Sequence, residues 1–164
     1  RLARLVSRLM ELAQADMRRS GSGDAASLAP VLARLGDVHG SADFAVEIDV
    51  PERLPALGIE PAVLETVLAT LIENARQAGA QRLTVSAARE GRMVAITLAD
   101  DGPGVPPGDA PRIFDPFFTS KRESGGTGLG LPIARALAES CAGSLELAES
   151  KGGSRFVLRV PAAL

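Results

Sequence analysis

One stretch constrains this chain most: Gly125-Gly126-Thr127-Gly128-Leu129-Gly130-Leu131-Pro132-Ile133-Ala134-Arg135-Ala136-Leu137. It opens as glycine punctuation and continues with helical apolar spacing. Glycine permits positive φ and lets another group come close to the backbone. A glycine turn at the head of a helix aims unpaired N–H groups and the positive end of the dipole at one point, which suits a phosphate chain. The same residues are equally compatible with a flexible loop that precedes a helix. Two familiar phosphate turns do not fit. A P-loop needs Lys followed by Ser or Thr after its last glycine, and Leu131-Pro132 follows here. A dinucleotide fingerprint would accept Gly126 and Gly128, but Leu131 stands where its third glycine belongs.

The rest of the chain narrows the choice. Its 164 residues suit one core with at most a short appendage. No apolar run is long enough to span a bilayer, so no direct membrane contact is expected. The formal charge of −2 gives no reason to expect a nucleic-acid surface. The single cysteine, Cys141, excludes an internal disulfide and a Cys-rich metal site. No signal-peptide pattern is expected within residues 1–164. The chain opens at Arg1, inside a helical pattern, and reads as a piece of a longer protein.

Leu2, Leu5, Val6, Leu9, Leu12 and Ala13 recur at helical spacing, which predicts an amphipathic helix over 1–19. Residues 20–26 form a Ser/Gly linker, and 27–164 a second unit. Within it, Leu28, Val31, Leu32 and Leu35 mark a short helix. A loop from Gly36 to Ser41 follows and carries His39, the only histidine, read as a solvated loop residue. Phe44, Val46, Ile48 and Val50 alternate as a half-buried strand. Glu60-Pro61 opens a long helix striped by Val63, Leu64, Val67, Leu68, Leu71, Ile72 and Ala75, and Gly79 stops it. Strands are predicted at 82–88 and 92–99. The helix after the glycine turn is expected to end near Gly143, with a last hairpin at 144–149 and 154–160. Helices standing between hairpins imply an α+β fold: a mostly antiparallel mixed sheet with helices packed on one face, preceded by one amphipathic helix.

Two further signals carry chemistry. Asn74 lies on the striped helix, where Asn is a weak helix former. Its side-chain carbonyl is a hard oxygen suited to Mg²⁺. Asp100-Asp101-Gly102-Pro103-Gly104 follows a strand directly. A carboxylate there can accept from an exocyclic amine, and the glycines leave room for a flat ring. The composition equally suits an ordinary turn.

Their order and spacing resemble the ATP-binding domain of sensor histidine kinases, within the gyrase, heat-shock chaperone, histidine kinase and mismatch-repair ATPase superfamily. Leu71-Ile72-Glu73-Asn74-Ala75 looks like its N box, and Asp100 to Gly104 its first glycine box. Ile113 to Lys121, with Phe114, Phe117 and Phe118, looks like its F box, and Gly126 to Gly130 its second glycine box. The resemblance covers roughly Ala26 to Pro161, and implies a Bergerat-type sandwich. The segment over 1–19 is similar to the second helix of the family's dimerisation and phosphoacceptor hairpin.

The resemblance implies ATP and Mg²⁺ as ligands. Asn74 would hold the metal, Asp100 the adenine amine, and Gly102 and Gly104 would shape the base pocket. Gly126, Thr127, Gly128, Leu129 and Gly130 would meet the phosphates, with Lys121 within reach. The Phe-rich stretch would be a mobile lid. It also implies homodimerisation of the full-length protein, a response-regulator receiver domain as partner, and a cytoplasmic location, with tethering of the parent to the inner membrane left open. This chain departs from the family at Gln77, where a basic residue is common, and at Thr70, where Asn is common. Hydrolytic relatives carry a Glu at the position of Thr70, and Glu73 points about 100° away from Asn74 on the helix. Phosphoryl transfer to a histidine outside the chain is therefore expected rather than hydrolysis, with no autophosphorylation of His39. A degenerate scaffold module and an anti-sigma-factor-type serine kinase are the alternatives. The intact boxes argue against the first and the segment 1–19 against the second.

Overall fold

The computed structural model describes residues 25–118 and 128–163, together with Arg8 and Glu11. The predicted helix over 1–19 and most of the linker therefore lie outside the described residues. In chain order the elements are α1 (Leu28–His39), β1 (Ala45–Asp49), α2 (Pro61–Gln77), β2 (Arg82–Glu90), β3 (Met93–Asp100), a 3-10 turn (Ala110–Arg112), α3 (Gly130–Ser140), β4 (Ser144–Ala148) and β5 (Arg155–Pro161). Among the described residues, no helix is long and apolar enough to cross a membrane.

The strands form one sheet in the order β1-β2-β3-β5-β4. Only the β1–β2 pair is parallel; the other three pairs are antiparallel. That parallel pair follows from connectivity, because α2 lies between the two strands and carries the chain back to the same end. The ladder aligns Val85, Leu98 and Phe156 across β2, β3 and β5, and Ala87, Ile96 and Leu158 in the next row. Alternation thus places one continuous apolar face under the helices. Leu64, Val67, Leu68, Leu71 and Ile72 of α2 and Leu137 and Ala138 of α3 bury against it with Leu32 of α1. Each fully buried Leu or Ile contributes about 1.5–3 kcal/mol of transfer free energy. The opposite face carries mostly polar and small residues, with Val157 and Met93 among them. There Arg159 of β5 pairs with Glu90 of β2 and Glu146 of β4, linking three strands and reaching across β3.

Two of the three helices that stop before a strand, α2 and α3, use the same device. At the end of α2, Gly79 takes φ +90°, its N–H bonds Arg76 O (3.1 Å), and Ala80 N–H bonds Ala75 O (3.2 Å). At the end of α3, Ala142 takes φ +63°, its N–H bonds Glu139 O (3.1 Å), and Gly143 N–H bonds Ala138 O (2.9 Å). This is the Schellman arrangement, which satisfies the last carbonyls of a helix. At α3 the left-handed residue is Ala142, so the helix ends at Ser140, earlier than the glycine at 143 suggests. Gly143 is required for another reason: a Cβ there would run into the Arg159 carbonyl oxygen.

Two expectations need correction. The strand at 45–49 is less buried than its alternation implies. Phe44 is buried, but Ile48 is 40% exposed, because β1 is an edge strand that α1 only partly covers. The supposed loop from Gly36 is helical through His39, with Gly40 N–H closing on Gly36 O at 2.9 Å. A glycine costs a helix only about 1 kcal/mol, and the buried side of α1 outweighs it.

Candidate functional site

A cleft of about 550 Å³ opens where three segments meet. The C-terminal half of α2 supplies Thr70, Glu73, Asn74 and Gln77. The glycine turn and the first turn of α3 supply Gly128, Gly130, Leu131 and Pro132. The segment after β3 supplies Gly104, Val105, Pro106 and Asp109, with Phe118 beyond them and Ser154 and Phe156 from β5 and its approach. A volume of this size with one apolar wall and a few polar groups is typical of a small-molecule site.

Asn74, Gly104, Gly128 and Gly130 are brought together as lining residues. Asp100 is not itself a lining residue but is fixed at the edge of the cleft. Its Oδ1 accepts from Gly102 N–H (2.9 Å) and from Ser154 N–H (3.1 Å), and Ser154 lines the cleft. Among the described residues no donor bonds Oδ2. The glycines around Asp100 are demanded by close approach. A Cβ on Gly153 would overlap the Asp100 carbonyl and carboxylate, and one on Gly104, at φ +80°, would lie 2.8 Å from Gly152 O. Leu129 lies just before α3. Lys121, Gly126 and Thr127 lie outside the described residues.

Asp101, next in the chain, does something different. Its Oδ1 accepts from Gln81 N–H (2.8 Å) and Arg82 N–H (3.0 Å) and so closes the start of β2. The Arg82 and then the Gln81 N–H hold its carboxyl below the usual carboxylate range.

The glycine turn meets the Phe-rich stretch directly. Phe117 N–H bonds Gly128 O at 2.8 Å, and both residues have positive φ, +67° and +74°. A Cβ on Gly128 would sit 2.5 Å from Phe117 Cα. The aromatics before it are anchored to the body. Phe114 meets Phe156 edge-on at 6.4 Å, and the Arg135 guanidinium lies 4.9 Å over the Phe114 ring. Arg112 lies 4.5 Å over Phe118. Such cation–π contacts contribute about 0.5–2 kcal/mol.

Two side chains on α2 bear on the chemistry. Thr70 donates its hydroxyl to Thr66 O (2.9 Å), and its methyl lies where a Cβ on Gly130 would be 3.3 Å away. It is no carboxylate base. Glu73 lines the same cleft, although its position beside Asn74 suggests it would face elsewhere. The Arg76 guanidinium draws it along the helix, bonding Oε2 at 3.0 Å. That hydrogen bond, against the opposing effect of partial burial, holds the Glu73 carboxyl below its ordinary range.

A divalent ion can be tested against this donor set. Among the described residues no group of three or more His, Cys, Asp or Glu side chains forms a metal cage. Mg²⁺ usually takes one or two protein oxygens and completes its octahedron with water and phosphate. Asn74, a lining residue with one amide oxygen, fits that demand in its chemistry.

Spacing gave no sign of His39, Asp109, Ser154 or Phe156. His39, Ser154 and Phe156 reach the cleft from segments remote in sequence, Asp109 lies just past the first glycine box, and none belongs to a glycine or Asn motif.

Comparison with known proteins follows the same outline. The family model described as histidine kinase-, DNA gyrase B- and HSP90-like ATPase matches residues 59–164. The two-component sensor PprA of Pseudomonas aeruginosa is 36% identical over 137 residues, 76% of this chain and 15% of that protein. The sensor histidine kinase ZraS of Escherichia coli is 33% identical over 165 residues, covering 98% of this chain and 35% of its own length. The chain thus spans 15% and 35% of the length of these two relatives. The ATP-binding domain of PrrB from Mycobacterium tuberculosis superposes with a TM-score of 0.66 at 26% identity, covering 86% of this chain and 98% of that one. The sheet and the helices on its face match the Bergerat-type arrangement.

Proposed function

The chain belongs to the histidine kinase-, DNA gyrase B- and HSP90-like ATPase family, as a catalytic domain of the histidine-kinase type, and from that premise we propose that it binds Mg·ATP and passes the γ-phosphoryl group to a histidine outside residues 1–164, for relay to a response-regulator receiver domain. The observation that carries this reading is the convergence of Asn74, Gly104, Gly128 and Gly130 on one cleft, with Asp100 clamped at its edge. Asp100 Oδ2 would accept from the adenine amine while Gly102 and Gly104 leave space for the ring. The amides of the turn from Gly126 to Gly130, with Thr127, Leu129 and Lys121, would face the phosphates. Asn74 would hold Mg²⁺, which when bound neutralises phosphate charge.

Transfer rather than hydrolysis is supported by Thr70, whose hydroxyl is engaged with Thr66 O and cannot act as a carboxylate base. Phosphoryl transfer needs positioning and charge neutralisation more than covalent chemistry from the protein. The segment 1–19 is assigned to the second helix of a dimerisation hairpin; the ZraS match over 98% of this chain supports it. The full-length protein would then act as a homodimer in the cytoplasm.

Titration calorimetry with ATP, with and without Mg²⁺, tests the reading. Mg²⁺-dependent binding is expected, and Asn74→Ala should lower the affinity in Mg²⁺ by about tenfold or more, as for loss of a metal-ligand contact, while the far-UV spectrum stays unchanged. Absence of ATP binding, or acid-labile label on His39 after incubation with γ-labelled ATP, would overturn it. A His-Glu or His-Asp motif directly upstream in the parent gene would separate it from a serine-kinase reading.

A further inference from the structure

Among the described residues, the wall of the cleft along α2 offers little positive charge to a nucleotide. A triphosphate brings several negative charges, yet the described cleft lining includes two carboxylates, Glu73 and Asp109, and no Lys or Arg. Arg76, the nearest guanidinium on α2, is not a lining residue: it bonds Glu73 and stays half exposed. Where a cation three residues past Asn74 would face the cleft, the chain carries neutral Gln77.

One described lining side chain can be cationic, and it comes from a different element. His39, the last residue of α1, lines the cleft beside Glu73, Asn74 and Gln77. Its ring is only 21% exposed, and Nδ1 stands 3.6 Å from Glu73 Oε2. That separation is an ion-pair distance rather than a hydrogen bond. It orients the ring and leaves Nε2 as the second nitrogen. A helix C-terminus also favours positive charge at that place. Arg76 on one side offsets the Glu73 carboxylate, and a protonated His39 on the other would add to it.

We propose that His39 contacts the phosphate chain of the bound nucleotide, supplying from the end of α1 the cationic donor that α2 lacks, with Glu73 and Arg76 as positioning residues. The inference rests on the nucleotide reading above and adds a residue that no motif contains.

The test compares wild type, His39→Ala, His39→Lys and His39→Gln by calorimetry with Mg·ATP and by NMR titration with adenosine, which has no phosphate. His39→Ala should bind Mg·ATP about tenfold more weakly, as for one lost charge-assisted hydrogen bond, with adenosine binding unchanged. His39→Lys should keep most of the ATP affinity. Adding Gln77→Lys to His39→Ala should recover it. Equal weakening of ATP and adenosine would assign His39 a structural role and overturn the proposal, as would unchanged ATP binding in His39→Ala. Should His39→Ala fail to fold, the Lys and Gln variants decide: equal ATP affinity in the two rejects a charge contribution. Failure of the wild-type chain to bind ATP would instead remove the nucleotide reading itself.

Discussion

Asp100 and Ser154, far apart in sequence, hold each other twice: Asp100 N–H donates to Ser154 O at 2.9 Å, and Ser154 N–H donates to Asp100 Oδ1 at 3.1 Å. The pair continues the β3–β5 ladder by one rung and makes the carboxylate part of the sheet's end. One oxygen is thus structural, and under the nucleotide reading Oδ2 is the one that would meet the adenine amine.

That division separates two substitutions. Asp100→Asn can keep Oδ1 as the acceptor for Gly102 and Ser154 while placing an amide where Oδ2 stood. Its thermal midpoint should stay near wild type, and ATP affinity should be lost. Asp100→Ala strips two partly buried N–H groups of their acceptor, and should cost about 1–3 kcal/mol of stability as well. Thermal melts and calorimetry on the two variants check this; unchanged ATP affinity in Asp100→Asn would remove the adenine assignment.

Gly128→Val should damage the turn through Phe117 rather than by filling the phosphate space. Gly128 sits at φ +74°, and its Cβ would lie 2.5 Å from the Phe117 backbone. Left-handed backbone alone costs a non-glycine residue about 1–3 kcal/mol. We expect a lower thermal midpoint together with weaker ATP and ADP binding. A variant that melts and binds like wild type would contradict the packing of these two residues.

Ala142→Gly should stabilise the protein. Ala142 is exposed and holds φ +63° at the end of α3, a conformation glycine adopts without Cβ strain. The gain is about 1 kcal/mol, reduced by the greater freedom of glycine in the unfolded chain. A rise of up to about 2–4 °C in thermal midpoint corresponds to it. A decrease would mean that Ala142 contributes packing that outweighs the strain.

Acid should weaken the fold partly through Asp101. The N–H groups of Arg82 and Gln81 lower its folded-state carboxyl below the ordinary range. A depressed acid contributes stability that is present above its unfolded value, about pH 4, and is lost as pH falls through the folded value. Thermal melts of Asp101→Asn should therefore show a shallower loss below about pH 4. Some dependence should persist, because Arg76 lowers the Glu73 carboxyl in the same direction. Parallel acid limbs in wild type and variant would show that the two N–H bonds do not depend on the charge.

Much of this architecture is local in origin and could be read in order. The stripe from Val63 to Ala75 buries as its spacing requires, Gly79 stops α2 at positive φ, and the alternation in β2, β3 and β5 sets which face meets the helices. Asn74, Gly104, Gly128 and Gly130 were legible as candidates because their types and spacing carry the pattern, and the fold brings them to one cleft. What needed the tertiary structure was every relationship made between distant segments. Ser154 locks one oxygen of Asp100; Phe117 presses on Gly128; His39 comes from α1 to stand beside Glu73. Periodicity reports which way a residue faces within its own helix or strand. Which remote residue it meets there depends on how the sheet orders its strands and where the helices settle on it, and no local pattern encodes that.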